Sequence, residues 1–176
     1  KTLLARSYAR ALVAEGEAKR KFFHSVAVQP GWHDPGSLLG YVNPLGEKSY
    51  VRTPFLEFLL KAVSDPSRPY IVLLDEMNLS HPEQYLAPLL SAMEMEGDAW
   101  IDLHCEGENF DGMPQRIPYP ANLVLIGTVN MDETTHGLSD KVLDRAFTLE
   151  FWQINLADYP RKGARSLSEE DEARVL

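Results

Sequence analysis

The sequence predicts an α/β fold, a parallel sheet doubly wound with helices on both faces. Two runs, Tyr70–Leu74 and Leu123–Val129, are almost wholly apolar and do not alternate, as strands buried on both faces do not. Segments with apolar residues at helical spacing separate them from each other and from a third short apolar run, Phe22–Val28. With 176 residues, 44% hydrophobic and 24% charged, the chain has room for one ordinary core and the composition of a globular protein. Disordered, collagen-like and coiled-coil classes are excluded on the same grounds.

Each element follows from local chemistry. Leu3, Leu4, Tyr8, Ala11 and Leu12 recur at helical spacing, and the pattern ends near Glu15-Gly16. Beyond a basic patch at Lys19-Arg20-Lys21, the strand Phe22–Val28 is closed by Pro30-Gly31. Tyr41-Val42 and Ser49-Tyr50-Val51 flank Asn43-Pro44-Leu45-Gly46, which predicts a small hairpin. Thr53 can cap a helix, Pro54 suits its first position, and Phe55, Leu56, Leu59, Leu60 and Val63 form its apolar stripe. The strand from Tyr70 stops at Asp75-Glu76. Ser80-His81-Pro82-Glu83 opens a third helical pattern through Met95, which Pro88 should kink or whose start it should delay. Two strand-like stretches between Trp100 and Tyr119 flank a loop containing Asp111-Gly112, a second hairpin. The strand from Leu123 ends at Asn130, Ser139 can cap a short helix through Ala146, and Phe147–Phe151 reads as a last strand. Past Trp152 the chain becomes polar and acidic, and Ser168 before Glu169-Glu170-Asp171-Glu172 reads as a helix start.

Charge and cysteine content narrow the function. Seventeen basic residues against 26 acidic ones leave a net charge of −9, so the whole chain has no field that would draw it onto phosphate backbones or anionic membranes. The single cysteine, Cys105, excludes an internal disulfide and a cysteine-based zinc site, and fits a reducing, cytoplasmic location. No apolar run approaches the roughly 20 residues of a membrane helix. The chain opens on Lys1-Thr2 inside a helical pattern, which reads as a piece of something longer.

In sheets of this kind chemistry collects at the carboxyl ends of strands, and those ends hold Asp75-Glu76 and Asn130. Two carboxylates directly after a buried strand suit nucleotide hydrolysis: the first can hold Mg²⁺ and the second can activate water. The bland alternative is a solvated strand-end turn. What shifts the balance is order: a helix opening with Lys1-Thr2, a strand ending Asp75-Glu76, a strand ending Asn130, then a short helix bearing Arg145. Asp132 and Glu133 follow Asn130 as a solvated loop or with a subunit-interface or magnesium-neighbour role, and Arg145 by itself could be a surface partner of Asp144 or Glu150. Cys105 beside His104 is a poor nucleophile–base pair, because adjacent strand residues point to opposite faces. His24, His33, His81 and His136 lack the i, i+4 spacing of a metal site, and Met93 and Met95 read as packing and helix surface.

The runs Ile71–Asn78, Gly127–Glu133 and Lys141–Ala146 resemble AAA+ NTPases of the dynein-related, McrB-type (restriction GTPase-like) group, over roughly residues 1–152. The resemblance implies a P-loop AAA+ large subdomain over 1–152, a linker and the start of a lid over 153–176, and two hairpin inserts facing a ring's pore. It makes Lys1 and Thr2 the end of Walker A and Asp75-Glu76 Walker B, with Lys1, Thr2 and Asp75 toward the nucleotide and Thr2 and Asp75 toward Mg²⁺. It makes Glu76 the catalytic carboxylate, Asn130 sensor 1 and Arg145 the arginine finger. It further implies an ATP- or GTP-hydrolysing motor in a homo-oligomeric, hexameric ring, with a nuclease or effector subunit and DNA as partners in a restriction or defence system. The alternative is a non-hydrolysing AAA+-like scaffold or assembly module, which would have no use for Glu76. Three departures stand out. The first strand and the phosphate-loop glycines are not in this chain, Asn130-Met131-Asp132 differs from the Asn-x-x-Asp of the GTPases and leaves ATP and GTP both open, and residues 153–176 show no sensor 2 arginine.

Overall fold

A computed structural model of the chain describes residues 2–12, 21–45, 49–95, 97–105, 110, 112–132 and 135–151. Lys1, Glu133 and the acidic tail past Trp152, with its expected helix start, lie outside the described residues. The chain divides into two compact units, Lys1–Ala146 and Phe147–Leu176.

In the first unit the elements run α1 (Thr2–Leu12), β1 (Phe23–Ala27), α2 (Gly36–Leu39), β2 (Tyr41–Asn43), β3 (Ser49–Val51) and α3 (Pro54–Ser64). Then come β4 (Tyr70–Asp75), a 3₁₀ turn (Met77–Leu79), α4 (Pro82–Tyr85), α5 (Ala87–Glu94), β5 (Trp100–Asp102), β6 (Arg116–Pro118), β7 (Leu123–Gly127) and α6 (Asp140–Leu143). The fold is α/β. Three strands form a parallel sheet in the order β1-β4-β7, and β2-β3 and β5-β6 form two separate antiparallel pairs, as the two hairpin patterns predict.

Tyr70 to Leu74 are all buried because β4 is the central strand, with β1 on one side and β7 on the other. Val26 lies opposite Leu74, and Leu74 opposite Gly127, so the carboxyl ends of the strands line up at one edge. α3 starts as its sequence dictates: the Thr53 hydroxyl accepts from the Leu56 N–H at 3.1 Å, with Pro54 in the first turn. Its Phe55, Leu56, Phe58, Leu59 and Ala62 enter the same core as Val72, Leu74, Tyr85, Leu89, Ile101 and Ile117. Arg52 joins the hairpins, donating to the Gly112 carbonyl at 2.6 Å while pairing with Glu57 at 3.2 Å.

The structure departs from the sequence pattern in four places. Pro88 divides the third helical pattern into α4 and α5, since it sits in the first turn of α5, where its missing N–H costs no helical bond. α2 is a one-turn helix within the Gly- and Pro-punctuated stretch. α1 buries Ala5 and Ala9 against β4 and leaves Leu3, Leu4, Tyr8 and Leu12 exposed, small side chains allowing the helix to lie close to the sheet. In the second unit, Phe147–Phe151 is not a strand: despite its alternation it pairs with no strand among the described residues, and its Phe147, Leu149 and Phe151 are exposed.

Half-buried on β1, His24 stacks on Phe58 with ring centroids 5.4 Å apart, and burial, then the nearby Lys61 charge, lowers its pKa. Core energetics give a direct check. Leu59→Ala, at a fully buried position, should destabilise the fold by about 2–5 kcal/mol, whereas Leu45→Ala at an exposed hairpin position should change it by about 0.5 kcal/mol or less. Urea denaturation of the two variants measures both, and equal effects would contradict the core described above.

Candidate active site at the carboxyl edge of the sheet

Thr2, Asp75, Glu76, Thr128 and Asn130 line one open cavity of about 300 Å³ at the carboxyl edge of the parallel sheet. Thr2 reaches it from the start of α1, Asp75 and Glu76 from the end of β4, and Thr128 and Asn130 from the segment that follows β7. Parallel pairing is what brings these groups together: β4 and β7 run side by side with no strand between them, so Glu76 and Asn130 leave the sheet at the same level. The Asn130 Nδ2 lies 3.5 Å from Glu76 Oε1, at the outer limit of a hydrogen bond.

Two hydroxyls converge on one carboxylate. Thr2 donates to Asp75 Oδ1 at 2.8 Å and Thr128 donates to the same oxygen at 2.7 Å. Both contacts fall on Oδ1, so neither engages the second carboxylate oxygen. Glu76 adopts a left-handed backbone (φ 53°, ψ 47°), the one positive φ at a non-glycine position among the described residues. Such a conformation costs of order 1 kcal/mol or more and persists where surrounding structure over-determines it.

The turn after Glu76 is held from several sides. Tyr85 donates from its phenol to the Met77 carbonyl at 2.9 Å. Burial, reinforced by the Glu83 charge, raises the Tyr85 pKa, which keeps the phenol protonated as the donor this bond needs. Ser80, also buried, donates to Gln29 O at 2.9 Å and accepts from Trp32 N at 3.0 Å. Asn78 is fully buried, and its side-chain Nδ2 donates to the carbonyls of Asn130 at 2.8 Å and His136 at 3.1 Å, while its backbone carbonyl accepts the His136 N–H at 2.9 Å. The rings of His81 and His136 lie against each other with centroids 3.9 Å apart, and the Thr135 hydroxyl donates to Asn130 O at 2.7 Å. The loop carrying Asn130 is therefore tied to the turn carrying Glu76.

Of the residues singled out in the sequence, Thr2, Asp75, Glu76 and Asn130 come together, Lys1 lies outside the described residues, and Arg145 stands apart. Arg145 does not line the cavity. Its guanidinium pairs with Glu94 on α5 and donates to the Lys141 carbonyl, while its Nε is buried without a hydrogen-bond partner. Within the first unit the partner of Arg145 is thus Glu94 and not Asp144. Cys105 is exposed, and His104 Nδ1 lies 3.2 Å from the Cys105 backbone oxygen. Among the described residues no group of three or more His, Cys, Asp or Glu is arranged to hold a metal ion, and no helix is long and apolar enough to cross a membrane.

Thr128 and Asn78 carry interactions that sequence reasoning did not assign. Alternation offered a signal for Thr128: in an extended segment it shares a face with Asn130 two residues on. Asn78 offered none, since an Asn two residues past a strand end is equally a solvated turn residue. The sequence matches no protein-family model, and no curated protein matches it either.

Asn78→Ala should loosen the link between turn and loop. Removing the amide takes one donor from each of the half-buried Asn130 and His136 carbonyls, the former keeping the Thr135 hydroxyl, which should cost about 1 kcal/mol. A change in unfolding free energy below about 0.5 kcal/mol, the range of ordinary surface substitutions, would show that the clamp contributes nothing.

Proposed function

We propose that the chain is the nucleotide-hydrolysing core of a P-loop AAA+ NTPase of the dynein-related, McrB-type group. In this reading it acts in a hexameric ring of like subunits that couples ATP or GTP hydrolysis to remodelling or translocating a partner. The single observation that carries the reading is the convergence of Thr2, Asp75, Glu76 and Asn130 on one cavity, from three separate parts of the chain. DNA as the translocated partner, a nuclease or effector subunit, a restriction role and a cytoplasmic location follow from the family resemblance.

The donor set fits a magnesium ion. Thr2 Oγ1 and the Asp75 carboxylate are hard oxygen ligands within 2.8 Å of each other, and Mg²⁺ in nucleotide sites takes one or two protein oxygens and fills its remaining positions with phosphate and water. Bound there through Thr2 and Asp75, the ion would neutralise phosphate charge. Glu76, one residue on, has its carboxylate clear of the Asp75 contacts and accepts a proton from a water lying between it and the terminal phosphate. The Asn130 amide, beside Glu76, orients that water or donates to a phosphate oxygen. Arg145 does not line this cavity, and in this reading it serves a neighbour's site.

Two experiments on the full-length polypeptide test this. Glu76→Gln should bind Mg-nucleotide as the wild type does but hydrolyse it at least about 10²-fold more slowly, while Asp75→Ala should weaken Mg-dependent binding by about tenfold or more. Hydrolysis by Glu76→Gln at the wild-type rate would reject the assignment. For assembly, Arg145→Ala should lower turnover by about 10³-fold or more, and mixing it with Glu76→Gln should restore activity at interfaces where an intact Arg145 meets an intact Glu76. Mixtures that co-assemble yet stay inactive would count against action between subunits.

A further inference from the structure

Thr128 sits between the two carboxylates. Only 7% exposed, it uses its single hydroxyl in two directions. The Glu76 N–H can only donate, so the hydroxyl oxygen accepts it, at 2.9 Å, and the hydroxyl proton goes to Asp75 Oδ1, at 2.7 Å. The result is a directed chain from the Glu76 amide through the Thr128 hydroxyl to the Asp75 carboxylate, in which each bond polarises the next. The backbone of the same residue acts on the next peptide, its carbonyl accepting the Met77 N–H at 2.9 Å, while its own N–H continues the sheet to Leu74 O at 2.9 Å. Thr128 thus holds the N–H groups on both sides of Glu76, the residue with the left-handed backbone.

We propose that Thr128 is a positioning residue for the hydrolytic site: its hydroxyl fixes Glu76 in the left-handed conformation that sets its carboxylate beside Asn130, and at the same time orients Asp75. The proposal rests on the nucleotide-hydrolysing reading above and adds to it the group that sets the geometry of its two carboxylates. A hydroxyl is required because the position needs one acceptor and one donor at once. Valine matches threonine in shape and supplies neither; serine supplies both.

The test compares Thr128→Val with Thr128→Ser in the full-length polypeptide, by steady-state hydrolysis and by amide hydrogen exchange. Thr128→Val should lower kcat by about 10²-fold, the scale of a misplaced reacting group, with KM for Mg-nucleotide within about threefold of wild type, since Thr2 still donates to Asp75. Thr128→Ser should stay within about fivefold of the wild-type kcat. In Thr128→Val the Glu76 amide should exchange about tenfold or more faster than in wild type, whereas the Met77 amide, bonded to the backbone carbonyl of Thr128, keeps its protection. A general structural role would speed exchange at both amides and would lower serine and valine variants alike. Wild-type kcat in Thr128→Val, no advantage of serine over valine, or unchanged exchange at Glu76 would each overturn the proposal. If the wild type hydrolyses neither ATP nor GTP while the exchange contrast holds, the nucleotide reading fails and the positioning of Glu76 by Thr128 stands.

Discussion

The in-register parallel pairing of β4 with β7 is the constraint on which the rest depends. A slip of one residue would turn every side chain of a strand to the opposite face, and with it the groups that leave the strand ends. The fully buried run Tyr70–Leu74 holds that register, with Ile71, Val72 and Leu73 opposite Val124, Leu125 and Ile126 of β7. The apolar core therefore does chemical work at a distance: it decides that Asp75, Glu76, Thr128 and Asn130 emerge at one level and on one edge. Gly127 is part of this arrangement, since a Cβ there would lie 2.0 Å from the Met77 sulfur and force the Met77 side chain out of its place against the strand.

Beyond the strand ends, regular structure stops and specific polar contacts take over. The backbone of Glu76 turns into the left-handed region, the following 3₁₀ turn is pinned by Tyr85, and the Asn130 loop is pinned by Asn78. Each of these bonds is buried or half-buried, where an unmade hydrogen bond costs more than a made one gains. That asymmetry favours one arrangement over many. Arg145 is subject to the same logic on a neighbouring surface, where Glu94 and the Lys141 carbonyl hold a guanidinium that lies outside the cavity.

Much of this was legible in the sequence, for identifiable reasons. The unbroken apolar runs gave β4 and β7, of which β4 is buried throughout while β7 ends the sheet order and is mostly half-buried; Thr53-Pro54 gave the start of α3, and the turn residues at Asn43-Pro44 and Asp111-Gly112 gave the two hairpins. Asp75, Glu76 and Asn130 were visible because polar residues at the end of an apolar strand stand out against it. Other features depend on what a residue meets in three dimensions. Nothing local distinguishes the buried Ala5 and Ala9 of α1 from the exposed Leu4 and Tyr8, and hydrophobicity alone points the wrong way. The alternation of Phe147–Phe151 describes a strand in search of a partner, and a strand exists only when a neighbour supplies its hydrogen bonds. Thr128 and Asn78 are common residue types whose importance lies wholly in their partners.

The decisive measurement is where a nucleotide's terminal phosphate lies in the full-length polypeptide bound to Mg²⁺ and a non-hydrolysable triphosphate. A crystal structure of that complex should place a terminal-phosphate oxygen within about 3 Å of the Asn130 amide or one bridging water away from it, with the Glu76 carboxylate facing the same phosphate. A terminal phosphate more than about 10 Å from both Glu76 and Asn130, beyond any direct or single-water contact, would contradict it.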